Sequence, residues 1–250
     1  MESNSTGAGA WVVGENGLKF INPENRNSTR FYAQDNPVTL YSSANWTLAN
    51  TGLNNTSNGD LQVYDSSSLT IDTTDYDDRT TPRTVTLEGR IKADGNVTIA
   101  GCGTVVVATT QHNGLADTTV ASGKTIAVTD TATLQVNAGK KILGEGTISL
   151  AAGTTLALDS SALGTIGDTE FTPCIPGLAL PTTGTAAIRI DGARLKSGDH
   201  VIATVGTGAT ANVALAPASK ALDGRKGALR VEDGKLILNI EPTGLMVIFR

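Results

Sequence analysis

The chain has 250 residues, of which 17% are charged and 4% aromatic, and it carries a net charge of −5. No basic patch could neutralise a phosphate backbone, so nucleic acid is not expected as a partner. No apolar run approaches the roughly 18 residues of a membrane-crossing helix, so no membrane span is expected.

The opening MESNSTGAGAW lacks the charged and apolar stretches of a signal peptide. Composition rich in Thr, Ser, Asn and Gly and poor in Lys and Glu is nevertheless that of an exported chain. It predicts a secreted or cell-surface protein whose leader lies outside this sequence. Trp11, Phe20, Phe31, Tyr32, Tyr41, Trp46, Tyr64 and Tyr76 fall in the first third, and only Phe171 and Phe249 lie beyond it. Residues 1–37 are read as an N-terminal cap and first turn, because the open end of a stacked fold exposes edge strands that must be covered.

From residue 38 the period is 2 and hardly ever 3.6. Strands are predicted at Val38–Tyr41, Trp46–Ala49, Leu61–Tyr64, Leu69–Asp72, Val85–Glu88, Arg90–Ala93, Val97–Ala100 and Thr104–Ala108. They continue at Thr125–Val128, Thr133–Val136, Thr147–Leu150 and Thr155–Leu158. Thr125–Val128 returns as Thr147–Leu150, and Thr133–Val136 as Thr155–Leu158, both 22 residues on. Similar shifts of 21 to 23 relate Val38/Leu40 to Leu61/Val63, Trp46/Leu48 to Leu69/Ile71, Leu69/Ile71 to Ile91/Ala93, and Val105/Val107 to Ile126/Val128.

A recurring shift of this size marks a stacked repeat, whereas a β-sandwich, the alternative for many short strands, does not require one. The predicted fold is therefore all-β: a right-handed parallel β-helix of roughly 20–24-residue turns over residues 38–166. The handedness follows from the strong preference of parallel crossovers. Leu134 and Val136 should stack on Leu156 and Leu158, with Gln135 and Ala157 outward. Gly123, Gly139, Gly146 and Gly153 should supply corners with positive φ.

Residues 167–184, with three prolines, read as a loop leaving the coil. Residues 185–250 read as the last turns and a C-terminal β cap, with hairpins at Asp191-Gly192 and Asp233-Gly234. Residues 216–222 offer at most one helical turn.

The stretch GKKILGEGTISLAAGTTLALD resembles the autotransporter-associated β-strand repeat. The likeness lies in Gly144-Glu145-Gly146-Thr147-Ile148-Ser149-Leu150 followed by Gly153-Thr154-Thr155-Leu156. GDHVIATVG (198–206) and LRVEDGKLILNI (229–240) are similar to the close of such passenger regions. The resemblance implies a large exported bacterial surface or secreted protein with a right-handed β-helical passenger, and it bears on fold and location more than on activity.

The sharpest polar cluster is IDTTDYDDR, with Asp72, Asp75, Asp77, Asp78 and Arg79. On a β-helix, carboxylates converging from neighbouring turns could hold Ca²⁺ or act as acid and base. These lie in one loop, with no second acidic cluster a repeat away, and favour a solvated acidic loop. Tyr76, beside them, is the best aromatic platform for a sugar. Cys102 and Cys174 could pair only if the loop around Cys174 folds back, and Cys102 in Gly-Cys-Gly is read as a packed strand cysteine. Two histidines, His112 and His200, are too few and too far apart for a zinc site. No cofactor is expected, since no nucleophile-elbow, metalloprotease or phosphate-loop motif occurs.

Three functions share this scaffold. The first expectation is a non-catalytic structural or adhesive module, presenting loops at 72–83, 109–118 and 167–184 to a host or environmental glycan or a cell-surface protein. The second is a lyase or hydrolase of acidic polysaccharides. The third is an oligomeric fibre or spike.

Overall fold

Short runs that alternate aliphatic with small polar residues cannot bury their apolar face alone, and three parallel sheets provide the partner surfaces. The computed structural model describes residues 9–13, 30–33, 37–48, 60–89, 91–108, 118–166 and 173–242. Strands are numbered in chain order. Face A, in spatial order, consists of β1 (Gly9–Val13), β3 (Val38–Ser42), β6 (Ser68–Asp75), β9 (Asn96–Ala100), β12 (Thr125–Val128), β15 (Thr147–Leu150) and β18 (Gly177–Ala179). Face B consists of β4 (Trp46–Leu48), β7 (Thr84–Leu87), β10 (Thr104–Val107), β13 (Thr133–Val136), β16 (Thr155–Asp159), β19 (Ala186–Asp191) and β21 (Val213–Leu215). Face C consists of β2 (Arg30–Ala33), β5 (Asp60–Val63), β8 (Ile91–Ala93), β11 (Thr118–Val120) and β14 (Ile142–Gly144).

From β3 to β16 the chain visits A, B and C in rotation, and each return pairs in parallel with the strand one pass earlier. All-β architecture with parallel sheets, of β-helix-like type, is thus present. Leu134 pairs with Leu156 and Val136 with Leu158, as the 22-residue shift predicts, and Ile126 pairs with Ile148. All six are inward, at 2% exposure or less.

The other shifts do not mark pairing. Val38 pairs with Leu69, Trp46 with Val85, Leu69 with Val97 and Val105 with Leu134. Same-face spacing runs from 20 residues (Thr84 to Thr104) to 39 (Trp46 to Val85). Alternation is the same on every face, so a shift near 22 can equally link a strand to one on another face, as from β3 to β5. Corners absorb insertions without disturbing the ladder, because loop length changes closure entropy slowly.

A fourth, antiparallel sheet runs in the order β17 (Gly164–Thr165), β20 (Gly198–Thr204), β23 (Lys235–Ile240), β22 (Gly227–Glu232). Its inner residues Leu236, Leu238 and Ile240 belong to the same aliphatic core as the coil. The Asp233-Gly234 turn joins β22 to β23, both residues at positive φ (48° and 69°) as a two-residue hairpin requires. Asp191-Gly192 makes no hairpin. Asp191 ends a strand of face B, and the chain then crosses to the antiparallel sheet.

Other expectations change in detail. Residues 9–13 and 30–33 of the predicted cap already extend faces A and C, while the side chains of Trp11, Phe20, Phe31 and Tyr32 lie outside the described residues. So do Phe171 and Phe249. Trp46 is core on face B, 3% exposed, its Nε1 donating to Ser42 Oγ at 2.9 Å. The predicted loop 167–184 returns to face A as β18; its residues 167–172 lie outside the described set. Among the corner glycines, Gly123, Gly139 and Gly153 have positive φ, but Gly146 does not, and Gly144 (φ 109°) takes that role. The helical turn expected at 216–222 is a 3-10 turn, Lys220–Leu222.

Candidate functional site

The acidic run sits at the corner between faces A and B. β6 overshoots β9, their pairing ending at Asp72–Ala100, while Asp75 still pairs with Ser42 of β3 across a register shift. From Asp72 the chain folds into a protruding hairpin over residues 72–83. Asp75 N–H donates to Thr81 O at 2.8 Å, and Arg83 N–H to Thr73 O at 2.7 Å.

Asp75 is the brace of this hairpin. Its side chain is only 4% exposed and forms an ion pair with Arg83, whose Nε donates to Oδ2 at 2.6 Å. The other oxygen accepts from the backbone N–H groups of Asp77 (2.9 Å) and Asp78 (3.2 Å). The Arg83 hydrogen bond, then the Asp78 amide, hold the Asp75 carboxyl below the usual carboxylate range. Asp78 closes the turn, its Oδ1 accepting from Thr80 and Thr81 N–H at 2.8 Å each, with the Thr81 hydroxyl on Oδ2. These bonds, the Thr81 hydroxyl foremost, bring its pKa down to about 2. Asp72 Oδ1 accepts from Thr74 N–H at 2.9 Å.

The hairpin is seated on the Gly101-Cys102-Gly103 corner. Thr73 Oγ1 donates to Ala100 O (2.7 Å) and accepts from Gly103 N–H (2.9 Å), and Cys102 N–H donates to Thr74 Oγ1 (3.1 Å). A Cβ on Gly103 would collide with the Arg83 and Thr73 backbone, and one on Gly101 (φ 90°) with Thr74 Oγ1 and Asp72 Oδ1. Cys102 is therefore a corner residue and not a strand residue, with Sγ 3.4 Å from Thr80 O.

At the tip, Tyr76 meets Tyr41 edge to face, ring centroids 5.3 Å apart at 60°. The Arg79 guanidinium lies 4.5 Å from the Tyr76 centroid and 5.2 Å from that of Tyr41. Arg79 has φ 58°, strained for a side-chain-bearing residue. The sequence singled out Tyr76 and Arg79 but missed Tyr41, placed there only as the end of the predicted strand Val38–Tyr41, and Arg83, which stands outside the acidic run. The signal available for Arg83 was Pro82-Arg83 directly before a strand, the returning arm of a hairpin.

The remaining predicted residues stay apart. Cys174 and Cys102 are free thiols. Cys174 O accepts from Ile142 N–H at 2.7 Å, placing it one pass beyond the last strand of face C, far along the ladder from Cys102. Burial pushes the Cys174 thiol up to about 11, so it is inert at neutral pH. His200 Nε2 lies 2.8 Å from Lys196 O, and His112 lies outside the described residues. Asn45 and Asn96, both in glycosylation sequons, hold the strand starts of the next pass, accepting from Thr84 and Thr125 N–H at 2.8 and 3.1 Å. Among the described residues no group of three or more His, Cys, Asp or Glu is placed to hold a metal ion, and no helix is long and apolar enough to cross a membrane. An open groove of about 560 Å³ between β18 and residues 204–209 is lined by no ionisable side chain.

Chemically, this corner can present an exposed aromatic and charged tip on a rigid base. Its two best-held carboxylates, Asp75 and Asp78, are occupied by the hairpin itself. No protein-family model, curated protein or solved structure matches the chain.

Proposed function

We infer that this chain is a non-catalytic structural or adhesive module of an exported bacterial surface or secreted protein. Its coil is a right-handed parallel β-helix that acts as a stalk and presents corner loops. Support for the coil is the rotation through three parallel sheets; the right hand follows from the crossover preference of parallel strands. Support for export and bacterial origin is composition and the resemblance to autotransporter-associated repeats.

The observation that carries the functional reading is the use of the acidic corner. A glycosidase needs two carboxylates free to face one bond. Here Asp75 is buried against Arg83 and the tip amides, and Asp78 is bonded to Thr80 and Thr81. The experiment is replacement of residues 76–80 by a short Gly/Ser turn in the full chain. Adhesion to cells or immobilised glycans is expected to fall while the fold persists. Turnover of pectate or alginate by the unaltered chain would establish the enzymatic reading instead. A stable trimer in light scattering would establish the fibre reading.

A further inference from the structure

We propose that the Tyr41–Tyr76–Arg79 tip is a binding site for a sugar ring of a neutral polysaccharide; this rests on the presentation reading above and names its ligand. Three independent features of the corner converge on that ligand.

The first is an exposed aromatic surface. Tyr76 retains 38% exposure even with Arg79 over it. The C–H face of a pyranose is apolar and faintly positive, so it can pack on the part of the Tyr76 ring that Arg79 leaves exposed. The second is a pair of charged groups that have no carboxylate or cation partner among the described residues. No ion pair among the described residues involves Asp77 or Arg79. Asp77 accepts only and Arg79 donates only, so together they suit the vicinal hydroxyls of a sugar, each both donor and acceptor. The third is preorganisation. Arg79 N–H is held by Asp75 O at 3.0 Å, and Asp75 in turn fixes the amides of Asp77 and Asp78. The groups that would meet the ligand therefore lose little freedom on binding.

Charge selects the class of glycan. Residues 72–83 contain four aspartates and two arginines, so the corner is net negative and repels uronate or sulfate chains. Continuity extends the site beyond one ring. Tyr41 lies on face A in the outward row Tyr41–Asp72–Ala100, and the next row along the same face is Thr39–Thr70–Thr98, continued by Ala127 and Ser149. That row carries hydroxyls and methyls and no charge, at the ladder spacing of about 4.8 Å. A neutral chain anchored on Tyr76 has an uncharged hydroxyl row to follow.

The test is isothermal titration of the full chain with cellohexaose, mannohexaose and chitohexaose, with oligogalacturonate as the charged control. At least one neutral hexamer is expected to bind, and oligogalacturonate is not. Tyr76→Ala and Asp77→Asn are each expected to weaken that binding by about tenfold or more, whereas Tyr76→Phe, which keeps the ring, retains it. The thermal midpoint of each variant reports folding, and these exposed side chains should leave it near that of the parent. Neutral binding unchanged in Tyr76→Ala overturns the site while leaving an adhesive module with its contact elsewhere. Binding of oligogalacturonate alone, or of no hexamer, overturns the proposal and leaves the stalk reading untouched.

Discussion

At the scale of single residues, the corner carboxylates act as hydrogen-bond acceptors for backbone, and this sets how stability responds to acid. Asp75 and Asp78 are held below their ordinary range, Asp78 at about 2, and Asp199 is lowered too, chiefly by its paired hydrogen bonds from Arg230 at 2.8 Å. A carboxyl lowered in the folded state binds fewer protons there than in the unfolded chain. Its stabilisation is fully present above the unfolded pKa of about 3.9 and disappears as pH falls through the folded value. Urea midpoints are thus expected to stay level from neutral pH down to about 5 and to drop between about 4 and 2. Asp75→Asn should flatten part of that drop. Little of this was legible in the sequence, where Asp75 is one of four similar aspartates. Only tertiary placement opposite Arg83, eight positions on, separates it from Asp77.

At the scale of elements, the hairpin 72–83 and the Gly-Cys-Gly corner form one unit. Strand alternation in the sequence marked β6 and β9 to within a few residues, because aliphatic and small polar residues leave no other period. It could not mark the overshoot of β6, since Thr73 and Asp75 continue the same alternation past the end of β9 as polar residues turned inward, at 0% and 3% exposure. Nor could it reveal why glycine flanks Cys102. Gly103 is needed because the Arg83 and Thr73 backbones pass where a Cβ would stand. Gly103→Ala is expected to cost about 2 kcal/mol or more and to displace the hairpin. Its signature is a lowered urea midpoint together with protease cleavage near residues 76–80. A neutral effect on both would show that the hairpin is not seated there. The 22-residue shift was correct where both strands lay on one face and no insertion intervened, as with β13 and β16. It failed where the corners hold extra chain.

At the scale of the whole molecule, an aliphatic core runs unbroken from Leu40 through the stacked passes to Ile240 in the antiparallel sheet. Some outward positions are bridged from pass to pass. Arg189 donates to Gln135 Oε1 at 2.9 Å across the intervening strand, over Ala157, which is fully buried although it points outward. Leu134→Ala, in the middle of the stack, is expected to cost about 2–5 kcal/mol, read as a lowered urea midpoint; a cost near zero would mean the passes do not rest on one another. In such a scaffold corner length changes while the stack persists, as the same-face spacings of 20 to 39 residues show. On the proposed reading, the acidic corner is expected to hold a presenting tip in place and to perform no chemistry. This is tested most directly by measuring thermal unfolding and polysaccharide turnover side by side for the full chain and for Asp75→Asn. A lower unfolding temperature is expected for the variant, with no turnover by either protein. An unchanged unfolding temperature, with turnover by the parent that the variant loses, would contradict it.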